Sequence, residues 1–280
     1  MIKEINKLTN SSLDFKNLEE NHLSIQLSLD GFSFCVYNIP NTSVAVFHRY
    51  EFTNTSPTPY EHLNLVKQLF SQEELLQIKY KSVTVSHLNN LITQVPLPFF
   101  DKNNLKFYLQ NTIKVLENDY ITFDEIDNSE IVNVYIPFVN INNFLIDRYG
   151  AFTFKHSSTI LIETLLNQYK NLDDDFCFVN VFNFNFEIVV LKNKKLELYN
   201  FHSFRTKEDF IYYILFTAEQ LNLNPEEFKL ILLGDIEKES ELYTLLYQYI
   251  RNISFYKSEK PATHVNGISK HTNFTVLNQF

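Results

Sequence analysis

Glycine is nearly missing from this chain, with four residues in 280, and there is one methionine and no tryptophan. Sites that grip phosphate with backbone amides need several glycines close together, because only glycine lets the main chain approach an anion without a Cβ in the way. No Gly-Lys-Ser/Thr loop, Gly-X-Ser-X-Gly elbow or His-Glu-X-X-His helix occurs in the sequence. The two cysteines, Cys35 and Cys177, sit far apart in apolar alternating runs. That excludes a disulfide scaffold or a clustered thiolate site and predicts two buried free thiols. No run approaches the roughly 18 apolar residues of a membrane-spanning helix. Met1 to Asn21 is polar and lacks the apolar segment of an export signal, so the expectation is a cytoplasmic protein with no membrane insertion. Acidic residues outnumber basic ones, 33 to 24, and the formal charge of −9 is spread evenly along the chain. Without a basic stripe, no nucleic-acid partner is expected.

What is abundant is apolar material. Hydrophobic residues make up 45 % of the chain, and 27 phenylalanines and 16 tyrosines bring the aromatic share to 15 %. This excludes intrinsic disorder and suffices for two cores. From His22 to Tyr50 three alternating runs follow one another: Leu23, Ile25, Leu27 and Leu29, then Phe32, Phe34 and Val36 after a turn at Asp30-Gly31, then Val44 onward after Asn38 to Asn41. The pattern predicts a three-stranded meander. Pro59 opens a helix to near Gln77 with Leu63, Val66, Leu69 and Phe70 on its inner face, and Lys81 to His87 is a strand. Leu91 to Phe100 contains Pro96 and Pro98 and is at best an edge strand. Asp101 is expected to cap a helix carrying Leu105, Leu109, Ile113 and Leu116. Then come strands at Tyr120 to Ile126 and Glu130 to Ile136, a helix at Val139 to Tyr149 closed by Gly150 in the left-handed conformation, a strand at Ala151 to His156 and a helix at Ser157 to Tyr169.

Asn171 to Asp175 is a polar break, read as a solvated linker and not a metal loop. It places a first domain at 1–170, with an insertion around 88–128, and a second at 171–280 that includes a C-terminal tail. Beyond the break the meander returns as Phe178 to Phe182, Phe184 to Leu191 and Leu196 to Phe201. A helix from Thr206 to Leu221, a strand from Phe228 to Leu233 and a helix from Glu239 to Ile250 follow. Leu27 to Phe34 aligns with Val179 to Phe186, and β-β-β-α-β-α recurs in each half. The fold class expected is therefore α/β with mixed sheets: two tandem ribonuclease H-like domains, the arrangement of the actin-like ATPases. Of the eight histidines, His48 and His202 fall late in the two third strands, a coincidence that could mark matched cleft positions, with surface or strand-end positions as the expectation.

Leu27-Ser28-Leu29-Asp30-Gly31-Phe32-Ser33, Val95-Pro96-Leu97-Pro98-Phe99-Phe100-Asp101 and Leu230-Ile231-Leu232-Leu233-Gly234-Asp235 resemble a bacterial family of unknown function, domain-of-unknown-function family 3822. The resemblance implies an actin-like ATPase fold, akin to cytoplasmic pilus-assembly and type II secretion proteins, and no established activity. In that superfamily two hairpin turns clasp the phosphates, acids hold Mg²⁺ and a third glycine-bearing turn holds the nucleoside. Mapped here, the candidate positions are Asp30, Gly31 and Ser33 in the first turn and Gly234 and Asp235 in the third. The second turn, Phe182-Asn183-Phe184-Asn185, carries neither acid nor glycine. The function expected is non-catalytic binding or scaffolding by a degenerate actin-like fold, without cofactor or metal and with an unidentified protein partner. The alternative is a divergent ATPase or kinase-like enzyme that binds ATP with magnesium in the interdomain cleft.

Overall fold

A computed structural model describes residues 1–9, 18–53, 58–258, 267 and 269–280, with the backbone alone at 18. His264, one of the eight histidines, lies outside the described residues. Two compact units emerge: Met1–Leu161 with Lys260–Gly267 and Thr275–Phe280, and Ile162–Glu259 with Ile268–Phe274.

The first unit is built on a six-stranded sheet. The expected meander forms as β2 (His22–Ser28), β3 (Gly31–Asn38) and β4 (Ser43–Phe52), all antiparallel. Helix α1 (Pro59–Gln72) crosses over to β5 (Ser82–Leu88), which lies parallel to β2; β9 (Thr153–His156) lies parallel to β5. A further strand, β1 (Ile2–Thr9), pairs antiparallel with β4, giving the order β1-β4-β3-β2-β5-β9. Sequence patterning missed β1, because a half-exposed edge strand with a register shift between Glu4 and Asn6 shows little alternation. Leu23, Ile25, Leu27, Phe32, Phe34 and Val36 meet Val66, Leu69 and Phe70 of α1 and Ile141 and Leu145 of α3 (Val139–Tyr149). Helix α1 ends at Gln72, five residues short of the expected end, and a single 3₁₀ turn occupies Glu74–Gln77. Gly150 does follow α3 with positive φ, but at φ 76° and ψ −137° it lies outside the left-handed helical well.

Between β5 and α3 a second, three-stranded sheet is inserted: β6 (Ile92–Pro96), β7 (Thr122–Glu125) and β8 (Ile131–Tyr135), with β8 in the middle and the proline-bearing β6 at an edge. Its core is Val95, Leu109, Val132, Val134 and Ile136. The long helix expected after Asp101 is one short helix, α2 (Leu105–Leu109), preceded by Asn104. Asp101 instead accepts hydrogen bonds from the Asn103 amide (2.9 Å) and the Asn104 side chain (2.6 Å), a local turn that competes with capping, and Leu116 is exposed. Asp124 ties the insertion to the start of α4 (Ser157–Tyr169). Its carboxylate accepts from the His156 amide (2.8 Å), Thr159 Oγ1 (2.8 Å) and the Tyr135 hydroxyl (3.1 Å), and burial pushes its pKa up to about 6.

The second unit repeats the plan with five strands: β10 (Phe176–Phe182), β11 (Asn185–Lys192), β12 (Lys195–Ser203), β13 (Lys229–Gly234) and β14 (Asn252–Phe255), in the order β12-β11-β10-β13-β14. β14 is only four residues long and was not legible in the sequence. Helices α5 (Lys207–Gln220) and α6 (Glu241–Tyr249) supply Phe210, Ile211, Ile214, Ala218 and Leu246 to a core with Val179, Val181, Phe186, Ile188 and Leu232. In both units three antiparallel strands are followed by two parallel ones through helical crossovers, in the order third-second-first-fourth-fifth, as a duplicated ribonuclease H-like domain requires.

The helix after each third strand also starts alike. Thr58 Oγ1 accepts from the Glu61 amide while Glu61 accepts from the Thr58 amide; Thr206 and Asp209 exchange the same pair of bonds. Each capping box satisfies two otherwise orphaned donors. Cys35 and Cys177 are buried free thiols.

Candidate functional site

The three turns singled out by sequence are well defined within their own units. The first is a two-residue hairpin whose closing pair is Ser28 and Gly31, so Leu29 and Asp30 form its tip and Gly31 is already the first residue of β3. The turn expected at Asp30-Gly31 is therefore displaced by one residue. Asp30 is half-buried, accepts from Ser28 Oγ (2.7 Å) and offers its carbonyl to the Phe52 amide (2.8 Å). Ser33 is not part of the tip. It is buried in β3, on the sheet face opposite to the one that carries Phe32 and Phe34.

In the second turn Phe182 closes against Asn185, leaving Asn183 (φ 52°) and Phe184 at the tip. Matching closing pairs and core strands puts Leu27 over Val181 and Phe32 over Phe186, a shift of two residues from the alignment read in the sequence. A two-residue slip preserves the side-chain period of a strand, so alternation alone cannot detect it. The counterpart of Asp30 is then Phe184, 65 % exposed, and the Phe184 carbonyl takes the Phe204 amide (2.9 Å) just as Asp30 takes that of Phe52. His48 and His202 are not matched either: His48 lies opposite Phe34, whereas His202 lies opposite Phe186, the counterpart of Phe32.

The third turn leaves β13 at Gly234. Its φ is +82°, and a Cβ there would lie 2.0 Å from the Val181 carbonyl oxygen and 2.8 Å from Asn180 Oδ1. Its amide donates to the His271 carbonyl (2.8 Å), and the Asp235 amide donates to the Val181 carbonyl (2.6 Å). The Asp235 side chain is exposed. The two amides that a phosphate or nucleoside turn would aim at its ligand are thus spent on the unit's own backbone, and the glycine serves the close packing of β13 against β10.

Beside this turn stands a group the sequence did not flag. Glu187 of β11 is fully buried; one carboxylate oxygen accepts from Asn180 Nδ2 (2.9 Å) and the other from the Tyr199 hydroxyl (2.9 Å). Burial raises its pKa to about 7, against the opposing effect of those two bonds. A glutamate at alternate phase among Phe186, Ile188 and Val190 was the available signal. Because its folded pKa is raised, Glu187 favours the fold most below about pH 4.5, and the contribution is lost as pH rises through 7. Glu187→Gln is expected to raise urea resistance by about 3 kcal/mol near pH 8 and by little near pH 4.5; equal effects at both pH values would contradict the assignment.

Of the two histidines expected at surface or strand-end positions, His202 is next to last in β12, whereas His48 is interior to β4. His48 is buried, and its Nδ1 donates to Glu73 Oε2 (3.2 Å), while Lys7 of β1 binds Glu73 Oε1 (2.8 Å). Burial alone would raise the Glu73 pKa; hydrogen bonds from Lys7 and Tyr50 and the neighbouring His48 turn the net shift downward. The cluster joins β1 and β4 to the end of α1. His202 is half-buried, with its ring stacked at 4.3 Å on Tyr213. Among the described residues no group of three or more His, Cys, Asp or Glu is placed to hold a metal ion, and no helix is long and apolar enough to cross a membrane. Asp173 and Asp174 of the polar break pair with Lys194 and Lys229.

Residues 10–253 match the DUF3822 family, proteins of unknown function. The chain belongs to that family. Among solved structures it is similar to a Bacteroides thetaiotaomicron VPI-5482 protein described as having an actin-like ATPase fold and unknown function. The two are 25 % identical over 88 % of this chain and 94 % of that one, with a TM-score of 0.79. It is also similar to a chain of the PilM–PilN type IV pilus biogenesis complex, at 12 % identity over 85 % and 89 % of the two chains and a TM-score of 0.57. No match was found among curated proteins. The fold of this DUF3822 chain is thus actin-like, as the duplicated sheet order indicated.

Proposed function

We propose that this chain is a non-catalytic binding or scaffolding protein of the cytoplasm, an actin-like fold whose nucleotide turns have become structural. The observation that carries the reading is the third turn, where the Gly234 and Asp235 amides donate to His271 and Val181 of the same unit. The second turn supports it, with Phe184 where a phosphate-gripping turn would need an acid or glycine. In the PilM–PilN complex a similar fold is found with another protein. For this chain the proposal likewise includes a protein partner, still unidentified, and no nucleic acid.

Calorimetric titration with ATP and Mg²⁺ tests the proposal directly. No heat is expected at millimolar nucleotide, for the wild type or for Asp30→Ala. Micromolar binding abolished by Asp30→Ala would overturn it and favour the second reading, a Mg-nucleotide enzyme using Asp30, Ser33 and Asp235.

A further inference from the structure

The two sheets differ at one edge. In the first unit the outer side of β4 is covered by β1, which pairs with it from Ile2 opposite Phe52 to Thr9 opposite Val46. In the second unit the corresponding strand, β12, ends the sheet, and among the described residues no strand pairs with its outer side. β12 is nine residues long and contains no proline; Lys195, Glu197, Asn200 and Ser203 along it are exposed. A long bare edge of this kind is a template for another strand.

Next to that edge lies an aromatic helix flank. Tyr213 of α5 stacks on His202 of β12 at 4.3 Å, and beyond it Tyr212 and Phe216 stack on each other at 5.9 Å while remaining 60 % and 46 % exposed. On a helix these three positions fall within a 100° arc, on the side of α5 turned away from Phe210, Ile214 and Ala218 in the core.

We propose that this chain forms a two-fold dimer in which β12 pairs antiparallel with β12 of a second copy, joining two five-stranded sheets into one. The aromatic flank selects a second copy over an isolated peptide. A single strand would satisfy the edge and leave Tyr212 and Phe216 in water. A two-fold axis perpendicular to the sheet keeps both α5 helices on the same face and brings their flanks together, and such an isologous contact closes on itself. Charge agrees: antiparallel pairing sets Lys195 and Glu197, at the start of one strand, against the uncharged Phe201 to Ser203 end of the other, so like charges are not opposed. The inference is independent of whether the fold binds nucleotide.

Sedimentation equilibrium of the full chain over a micromolar to submillimolar series tests it, with amide exchange of β12 as a second readout. The expected result is a mass near twice 33.2 kDa, slowed exchange in β12, and reversion to the single-chain mass in Phe216→Glu and Tyr212→Glu. Both substitutions are at exposed positions, and an unchanged far-UV spectrum would show that the fold is intact. Tyr60→Glu, at an exposed tyrosine of α1 in the first unit, should leave the dimer unchanged. A single-chain mass throughout the series overturns the proposal, as does a dimer that survives both α5 substitutions with β12 amides still exchanging freely.

Discussion

Acidification from pH 7 to 4 is expected to unfold the first unit ahead of the second. His22 and His62 have pKa values lowered to about 4, and His87 and His156 to about 3, chiefly through burial; all four belong to the first unit. Their environments favour the neutral ring. His156 Nε2 donates to the Asn89 carbonyl (3.1 Å), and its Nδ1 accepts from the Ser158 amide (3.2 Å); His87 Nδ1 accepts from the Phe138 amide (3.2 Å). In the unfolded chain each ring binds a proton below about 6.5, so folding must exclude it, and each histidine costs the fold about 3 kcal/mol by pH 4. Asp124 and Glu187 act in the opposite sense, since their raised pKa values make the fold bind protons as pH falls. Four histidines outweigh one carboxyl in the first unit, whereas in the second unit the half-buried His202, its pKa lowered by burial, is set against Glu187. The net loss is several kcal/mol, a large share of ordinary domain stability.

Urea midpoints between pH 7 and 4, with amide exchange to locate the opening, measure this. Protection should fall first in β2, β5 and α1. His87→Asn, which keeps an acceptor for the Phe138 amide without the titrating ring, should reduce the pH slope by about one proton. A midpoint that is flat across the range would refute the account.

The largest single-residue effect is expected at Gly234. In Gly234→Ala the new methyl would sit 2.0 Å from the Val181 carbonyl oxygen, at a φ of +82° that alanine disfavours. Relief requires β13 to move away from β10, which breaks the bonds from Asp235 to Val181 and from Gly234 to His271. A cost above about 4 kcal/mol is expected, enough to abolish a cooperative transition of the second unit. Gly150→Ala is the matched comparison: φ is +76°, but nothing lies within 4 Å of the added carbon. It should cost only the conformational penalty of a sparsely populated positive-φ backbone, about 1–3 kcal/mol. Similar thermal shifts for the two variants would show that overlap at Gly234 is relieved cheaply.

The strands of both meanders were legible because their inner faces alternate without interruption, as in Leu23, Ile25 and Leu27 or Phe186, Ile188 and Val190. Register was not legible, because a two-residue slip leaves that alternation intact; only the closing pairs Ser28–Gly31 and Phe182–Asn185 fix it. The capping boxes were written in the chain as Thr58 with Glu61 and Thr206 with Asp209, a better guide to helix starts than Asp101, whose neighbours Asn103 and Asn104 take its carboxylate. The buried histidines left a trace too. His62 falls at helical spacing with Val66, Leu69 and Phe70, and His87 continues the alternation of Val83 and Val85. Polarity concealed what position revealed. Glu187 and Asp124 were hidden because their partners, Tyr199 and Thr159, are brought to them by tertiary structure and not by nearby sequence.

The C-terminal segment Thr275–Phe280 belongs to the first unit. The Val276 carbonyl accepts from Cys35 Sγ (3.3 Å), Gln279 reaches Ser86, and Phe280 stacks on Tyr37 at 3.9 Å, so the segment covers the side of the first sheet that α1 leaves open. During synthesis, then, the half of the molecule made first cannot be completed until residues 275–280 have left the ribosome, after every strand of the second half. The nascent first sheet must wait with Cys35 and Ser86 uncovered, and the contact that closes it spans 241 residues of chain. Closures this distant in sequence are slow, so the N-terminal half should begin folding first and finish last.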